Sequence, residues 1–220
     1  MLYSMAAPLV LLLVFGRSSQ GGAALFSRYA LPIGAAFGLL GLTRQICNSF
    51  GGEGAGIQLY FLLPTRFRTV VLGKNLMHIG LFCLEVVLAA AIIWFRFGFP
   101  GPALLAATFC WMLFALPLYL ALGNILSITM AYRMTLTRLS REQGATGNGL
   151  LSLVIQVAIA AIGAGVFFSC SHFGRPDLAA PVFLILAAGA FLLWLRVLAN
   201  VDRMAANRRE MLFAALVRET

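Results

Sequence analysis

Charge is scarce in this chain. Only 10% of its 220 residues are Asp, Glu, Lys or Arg, where ordinary soluble domains carry about 25%. Acids are the rarest: there are seven in all, and Asp177 and Asp202 are the only aspartates. Histidine occurs twice, as His78 and His172. These shortages exclude several chemistries. A metalloprotease needs HExxH, which is absent, and an intramembrane serine protease needs a histidine partner for its nucleophile. The two histidines are expected on opposite sides of a bilayer and cannot share a site. The same holds for the two aspartates, which removes the clustered carboxylates a lipid-phosphate transferase wants for metal. Cys47, Cys83, Cys110 and Cys170 form no CxxC or CxH pattern and lie in separate segments. They read as small packing hydrophobes, with neither a disulfide framework nor a metal site. The chain is therefore expected to hold no catalytic residue, no metal and no cofactor of its own.

What is abundant is apolar surface. Hydrophobic residues make up 61% of the chain, compared with about 45–50% in soluble domains. A soluble fold must face water somewhere and could not hide so much, so the expected solvent is lipid. A helix crosses the hydrocarbon core with about 20 mostly apolar residues. Six runs approach or meet that length: Leu2–Phe15, Tyr29–Ile46, Leu76–Phe95, Ala103–Met130, Leu150–Phe168 and Leu178–Val201. The first is short, but it lacks the basic N-terminal region and clear cleavage site of a signal peptide. The second opens near Pro32, where a missing amide donor does little harm, and Pro117 is expected to kink the fourth. The fold class is an all-α integral membrane protein, a single domain over residues 1–220 with about six transmembrane helices.

Orientation follows from the basic residues. With the N-terminus in the cytoplasm, Arg44, Arg66, Arg68, Lys74, Arg133, Arg138, Arg141, Arg196, Arg203, Arg208, Arg209 and Arg218 are inside. Arg17, Arg28, Arg96 and Arg175 are outside, so 12 of the 16 Lys and Arg are internal. The positive-inside rule then puts both termini in the cytoplasm. The net charge of +9 is explained by topology and anionic lipid, and no nucleic-acid motif competes. The outer loops are short. The inner ones are longer and carry the charge: 47–75, 131–149 and the tail 202–220.

The stretch Asn48–Asn75 raises the question of nucleotide binding, because it ends in Gly73-Lys74. A Walker loop requires GxxxxGK[ST], whose glycine amides wrap phosphate and whose hydroxyl binds magnesium. Here Asn75 follows the lysine, Arg68 stands where the first glycine belongs, and no strand precedes. Gly51, Gly52, Gly54 and Gly56 likewise lack the βαβ unit of a dinucleotide site.

Glu85 is the one acid inside an apolar run, near mid-membrane. Such a carboxylate is costly and points to function by default. It lines a translocation path, carries a proton, or packs protonated against Gln156, Thr108 or another helix. Gly34 and Gly38 form a GxxxG extended by Gly41, and Gly163 and Gly165 stand among alanines. Small residues of this kind let helices approach closely, within one bundle or across a dimer.

The run Asn48-x-Phe50-Gly51-x-Glu53-Gly54, then Leu62-Leu63-Pro64, basic residues and Leu72-Gly73-Lys74-Asn75 resembles the permease subunits of ATP-binding-cassette exporters. Gly123-Asn124-Ile125-Leu126-Ser127 followed by Arg133 is similar to the inner end of their fourth helix. The likeness extends from about Tyr29 to the end and concerns the exporter class with six-helix membrane domains. It implies a transporter half that pairs with a second permease half or with a copy of itself. It also implies docking on a separate cassette ATPase, which alone binds ATP and magnesium. By the same resemblance, the 47–75 segment is the coupling loop. Its contact residues would be Asn48, Phe50, Gly51, Glu53, Gly54, Pro64, Arg66, Arg68, Gly73, Lys74 and Asn75. Glu85, Asn124 and Ser127 would belong to the pathway or its packing. The expected place is a bacterial cytoplasmic membrane.

The chain departs from that pattern twice. The family usually carries an amphipathic surface helix before its first span, whereas here Met1 lies almost inside the bilayer. That implies a fragment, a short variant or the C-terminal half of a longer permease. The segment Ser169–Asp177 is too short for the outer re-entrant hairpin of many relatives. Two alternatives stay open: a non-transport scaffold or assembly subunit, and a proton-coupled secondary transporter using Glu85, although no internal repeat is evident.

Overall fold

A computed structural model describes residues 22–134 and 143–217 of the chain, with side chains over 29–134 and 146–216. The first apolar run, Arg17, Arg138, Arg141 and Arg218 lie outside these residues, as does the middle of the second inner loop. Among the described residues the structure is all helical. We number the helices α1 (Gly22–Gly41), α2 (Thr43–Cys47), α3 (Ile57–Leu62), α4 (Phe67–Phe97), α5 (Pro102–Thr129), α6 (Gln143–His172), α7 (Ala179–Asn207) and α8 (Arg209–Val217). Two 3₁₀ turns, Gly54–Gly56 and Pro176–Leu178, complete the order.

Among the described residues, four helices are long and apolar enough to cross a membrane: Phe67–Phe97, Pro102–Thr129, Thr146–His172 and the stretch Pro176–Asn207 that contains α7. Helix α4 has 31 residues, or about 46 Å at 1.5 Å per residue, which exceeds a hydrocarbon core of about 30 Å. Their outward faces are apolar as well. Phe95 is 92% exposed and Ile185 75% exposed, surface that water would penalise and acyl chains solvate. These are the features of an integral membrane protein.

Local sequence sets the helix ends. Pro64 forces Leu63 into an extended conformation (φ −74°, ψ 147°), which stops α3. Helix α4 ends on Gly98, whose φ of +82° only glycine adopts freely, with its N–H on the Trp94 carbonyl at 3.0 Å. Pro102 opens α5, where its missing N–H has no intrahelical partner anyway. Helix α6 closes on Gly174 (φ +67°). The Arg175 N–H bonds the Cys170 carbonyl at 2.9 Å and the Gly174 N–H bonds Ser171 at 3.1 Å, a Schellman end followed by Pro176. In α1 the backbone breaks at Tyr29 (φ −111°, ψ 18°), so Pro32 lies in the first turn of the resumed helix.

Helix α4 starts at Phe67, two turns earlier than the apolar run suggests. Gly73, Lys74 and Asn75 are therefore helical and do not mark the end of a loop.

The chain divides into two compact units. One comprises Met1–Leu42, Ile79–Leu116 and Ala158–Gly189; the other Thr43–His78, Pro117–Val157 and Ala190–Thr220. In the first, Ala30, Leu31, Ala89 and Ile93 form a buried cluster, and Phe183 packs on Phe114 and Phe167. Gly163 lies directly against the Trp111 indole, where a Cβ would collide. Gly38 makes room for Glu85 and Phe82. Gly165 has nothing within 4 Å. The second unit has a core of Phe50, Ile57, Phe67, Val71, Val201, Leu212 and Leu216, among others.

Candidate functional site

The loop between α2 and α4 is a folded element inside the second unit. Its base is Asn48, fully buried. The Asn48 amide donates from Nδ2 to the Tyr132 carbonyl at 2.8 Å, and Oδ1 accepts the Tyr132 N–H at 3.2 Å. A side chain thus does for the segment after α5 what a strand partner would do. Gly51 continues the pairing: its carbonyl accepts the Met134 N–H at 2.8 Å. A Cβ at Gly51 would run into the Asn48 amide and the Tyr132 carbonyl, so this close approach requires glycine.

Ser127 fixes the loop from α5. Its hydroxyl shares a 2.8 Å bond with Ser49 and accepts the Phe50 N–H at 3.3 Å. Lys74 fixes it from α4, donating to the Ser49 carbonyl at 3.0 Å and pairing with Glu53 at 2.5 Å. The Lys74 ammonium also lies 5.2 Å from the centre of the Phe50 ring. From α6, Asn148 donates to the carbonyls of Cys47 and Met130, both at 3.0 Å. The Cys47 thiol donates to the Tyr119 hydroxyl at 3.7 Å. Burial pushes that thiol up to about 11, with the Tyr119 bond pulling the other way. Burial and then the Glu53 carboxylate raise the Tyr60 phenol.

Above this base the loop rises through Gly54 (φ +52°) into α3. Phe50 stacks on Phe67, with centroids 5.0 Å apart, and Phe61 meets Phe67 and Phe213. Helix α8 closes the side, with Leu212 and Leu216 buried and Arg209 over the rings of Phe61 and Phe213. Asp202 of α7 caps α4 by accepting the Arg68 N–H at 2.8 Å. The tip is the opposite of this base. Leu62, Leu63, Pro64, Thr65 and Arg66 are all exposed, as are Leu59 and the Arg68 side chain.

The residues anticipated from sequence therefore divide. Asn48, Phe50, Gly51, Glu53, Lys74 and Ser127 converge on the base. Gly54 turns the chain, and Pro64, Arg66 and Arg68 form the tip. Gly73 is exposed on α4 with nothing within 4 Å and joins neither group. Lys74 and Glu53 neutralise each other, which removes them from the polar surface offered to a partner. Sequence reasoning missed Ser49, Tyr132, Asn148, Asp202 and the α8 residues. The four-residue repeat Asn148, Ser152, Gln156 was a visible signal, because it forms a polar stripe on an otherwise apolar helix.

Buried polar side chains continue inward from the base. Asn75 and His78 follow Lys74 along α4, and Asn124 lies one turn from Ser127 on α5; each is at most 4% exposed. Asn75 Nδ2, His78 Nδ1 and Asn124 Nδ2 have no hydrogen-bond partner among the described residues. Ser152 and Gln156, also buried, extend the layer on α6. In the other unit Glu85 is 6% exposed, and neither of its oxygens has a hydrogen-bond partner among the described residues. Thr108, a partner expected from sequence, donates to the Leu104 carbonyl of its own helix at 2.7 Å. No group of three metal-ligating His, Cys, Asp or Glu occurs among the described residues.

A scan against protein-family models finds no match, and neither a search of curated proteins nor one of solved structures finds any.

Proposed function

We propose that this chain is the membrane-spanning permease subunit of an ATP-driven exporter of the ATP-binding-cassette type. It spans the membrane about six times with both termini in the cytoplasm, in a bacterial inner membrane. A separate ATPase subunit holds ATP and magnesium and performs the hydrolysis, and a second permease half or a copy of this chain completes the pathway. The observation that carries this reading is the loop between α2 and α4. It pairs an exposed apolar and basic tip, Leu62 to Arg66 with Arg68, with a base tied by buried and half-buried side chains to α4, α5 and α6. A tip that merely floated on lipid would need no such base. A tip that must transmit a push needs a stiff connection to the helices it moves, because coupling requires that ATP binding favour one membrane conformation over another.

The test is recovery of the tagged chain from its native membrane, with bound ATPase quantified by mass spectrometry. Arg66→Glu together with Arg68→Glu should lower the recovered ATPase by about tenfold or more, as reversing rim charges does. An intact complex after both changes removes the coupling assignment. If the wild-type chain brings down no cassette ATPase, the permease reading fails and a scaffold role takes its place. Glu85, buried and without a hydrogen-bond partner among the described residues, favours a second reading as a proton-coupled transporter. Transport that runs on a proton gradient without ATPase and is lost in Glu85→Gln would establish it.

A further inference from the structure

The first unit contains a cavity of 390 Å³ that the coupling loop does not use. Its walls come from the last turns of α4 and α6 and the first turns of α5 and α7, with Tyr29 and Leu31 of α1. Most of the lining is apolar, including Ile93, Phe97, Leu104, Ala107 and Phe167. The polar side chains of the lining meet at one place, where the Tyr29 hydroxyl donates to Ser171 Oγ at 3.4 Å. Two interhelical turns frame the cavity. Gly98, Pro100 and Gly101 line it on one side and Pro176 on the other, next to the two glycine-closed helix ends described above. The cavity is already open in the structure.

Two further observations place its mouth at the level of lipid headgroups. Trp94, Phe95, Phe99 and Phe173 are large and exposed around these same turns, and Trp94 meets Phe99 edge-on at 5.7 Å. Exposed aromatics gather at membrane interfaces, where their rings suit the boundary between tails and headgroups. Arg96 directly precedes the lining residue Phe97, and Arg175 precedes Pro176; both are exposed. Asp177 is the single acid on these turns, and His172 adjoins Ser171. The rim is thus net basic.

We infer that this cavity binds one acyl chain of an anionic phospholipid, with the headgroup held at the rim by Arg96 and Arg175. Ligand sites span about 300–1,000 Å³, so 390 Å³ suits a single chain better than a whole two-chain lipid. The second chain would stay in the bilayer, against the exposed aromatics. This goes beyond the exporter reading and requires only that the chain reside in a membrane.

Native mass spectrometry of the purified full-length chain tests it, with phosphatidylglycerol and phosphatidylcholine titrated separately. One phosphatidylglycerol should be retained per chain, bound about tenfold more tightly than phosphatidylcholine. Ala103→Trp places a large ring at an exposed lining position and should abolish the retained lipid. Leu104→Trp is the second variant, in case the first alters the fold, and unchanged helical content qualifies either one. Arg96→Glu with Arg175→Glu should erase the preference for phosphatidylglycerol while phosphatidylcholine still binds. Glycerol 3-phosphate, which has a charged head and no chain, should not compete. Equal retention by a folded Ala103→Trp or Leu104→Trp protein would mean annular lipid only and overturn the site. So would photo-crosslinks from a chain-terminal diazirine lipid that miss Ile93, Phe97, Leu104 and Phe167. No ATPase enters the assay, so its failure is distinct from failure of the exporter reading.

Discussion

Asn48 and Gly51 show how single residues decide the shape of the loop. Asn48 answers both a buried N–H and a buried C=O of Tyr132, and truncation would strand them both. Asn48→Ala should cost roughly 2–6 kcal/mol, since two buried groups are left unsatisfied at about 1–3 kcal/mol each. The two glycines of the same stretch should respond with opposite sign. Gly51→Ala forces a methyl into the Asn48 amide and should destabilise, whereas Gly73→Ala meets nothing within 4 Å and should stabilise by up to about 1 kcal/mol as a helix position. Unfolding midpoints in detergent, compared across the three variants, measure this; a stabilising Gly51→Ala would refute the close approach. The residues of the base were partly legible in the sequence, because Asn, Ser, Glu and Lys stand out in an apolar chain. Their partners were not. Tyr132 and Asn148 lie 84 and 101 residues from Asn48 and Cys47, and no local pattern encodes a pairing across such a separation. The Glu53–Lys74 pair, 21 residues apart, was hidden differently. In the sequence both residues read as free surface charges, with Lys74 at the end of a loop.

Elements were more legible than their neighbours. Each of the four long helices covers an apolar run read from the sequence to within a residue, because hydropathy and a length near 20 residues carry that signal. The helix ends were less so, since polar residues that continue a helix past the apolar run, as at Phe67 to Asn75, read as loop by composition. Helix α8 is the clearest case. It falls in a segment read as a charged tail, yet Leu212 and Leu216 are at most 1% exposed. Phe213 and Arg209 meet Phe61 of α3. Its role is to hold the loop from the side. Replacing Leu212 and Leu216 together by Ala should remove at least about 2 kcal/mol per residue where the site cannot collapse. Limited proteolysis reports the consequence. Trypsin should cut after Arg66 and Arg68 markedly faster in the double variant, and cut after Arg96, exposed in the last turn of α4, at an unchanged rate. Equal cleavage at Arg66 would show that α8 rests on the loop without holding it.

For the whole molecule the decisive property is which side of the membrane each polar segment faces. The tip at Thr65 and the turn at Phe173 are separated by α4, α5 and α6. Under the proposed topology each of these helices crosses once, and three crossings would put the two positions on opposite sides. The basic residues then choose the side. Arg66, Arg68, Arg133, Arg196, Arg203, Arg208 and Arg209 fall at the ends and segments sharing the side of Thr65, against Arg96 and Arg175 on that of Phe173. Under the proposal, the positive-inside rule gives the first group to the cytoplasm. Thr65→Cys and Phe173→Cys, each in a chain whose native cysteines are replaced, turn this into a measurement. A membrane-impermeant maleimide applied to intact cells should label Phe173→Cys and leave Thr65→Cys untouched; inverted vesicles should give the reverse. The reverse pattern on intact cells would leave the bundle in place and put the loop tip outside, where no cytoplasmic ATPase could reach it. Labelling of both positions from one side would break the odd number of crossings and with it the assignment of α4, α5 and α6 as spans.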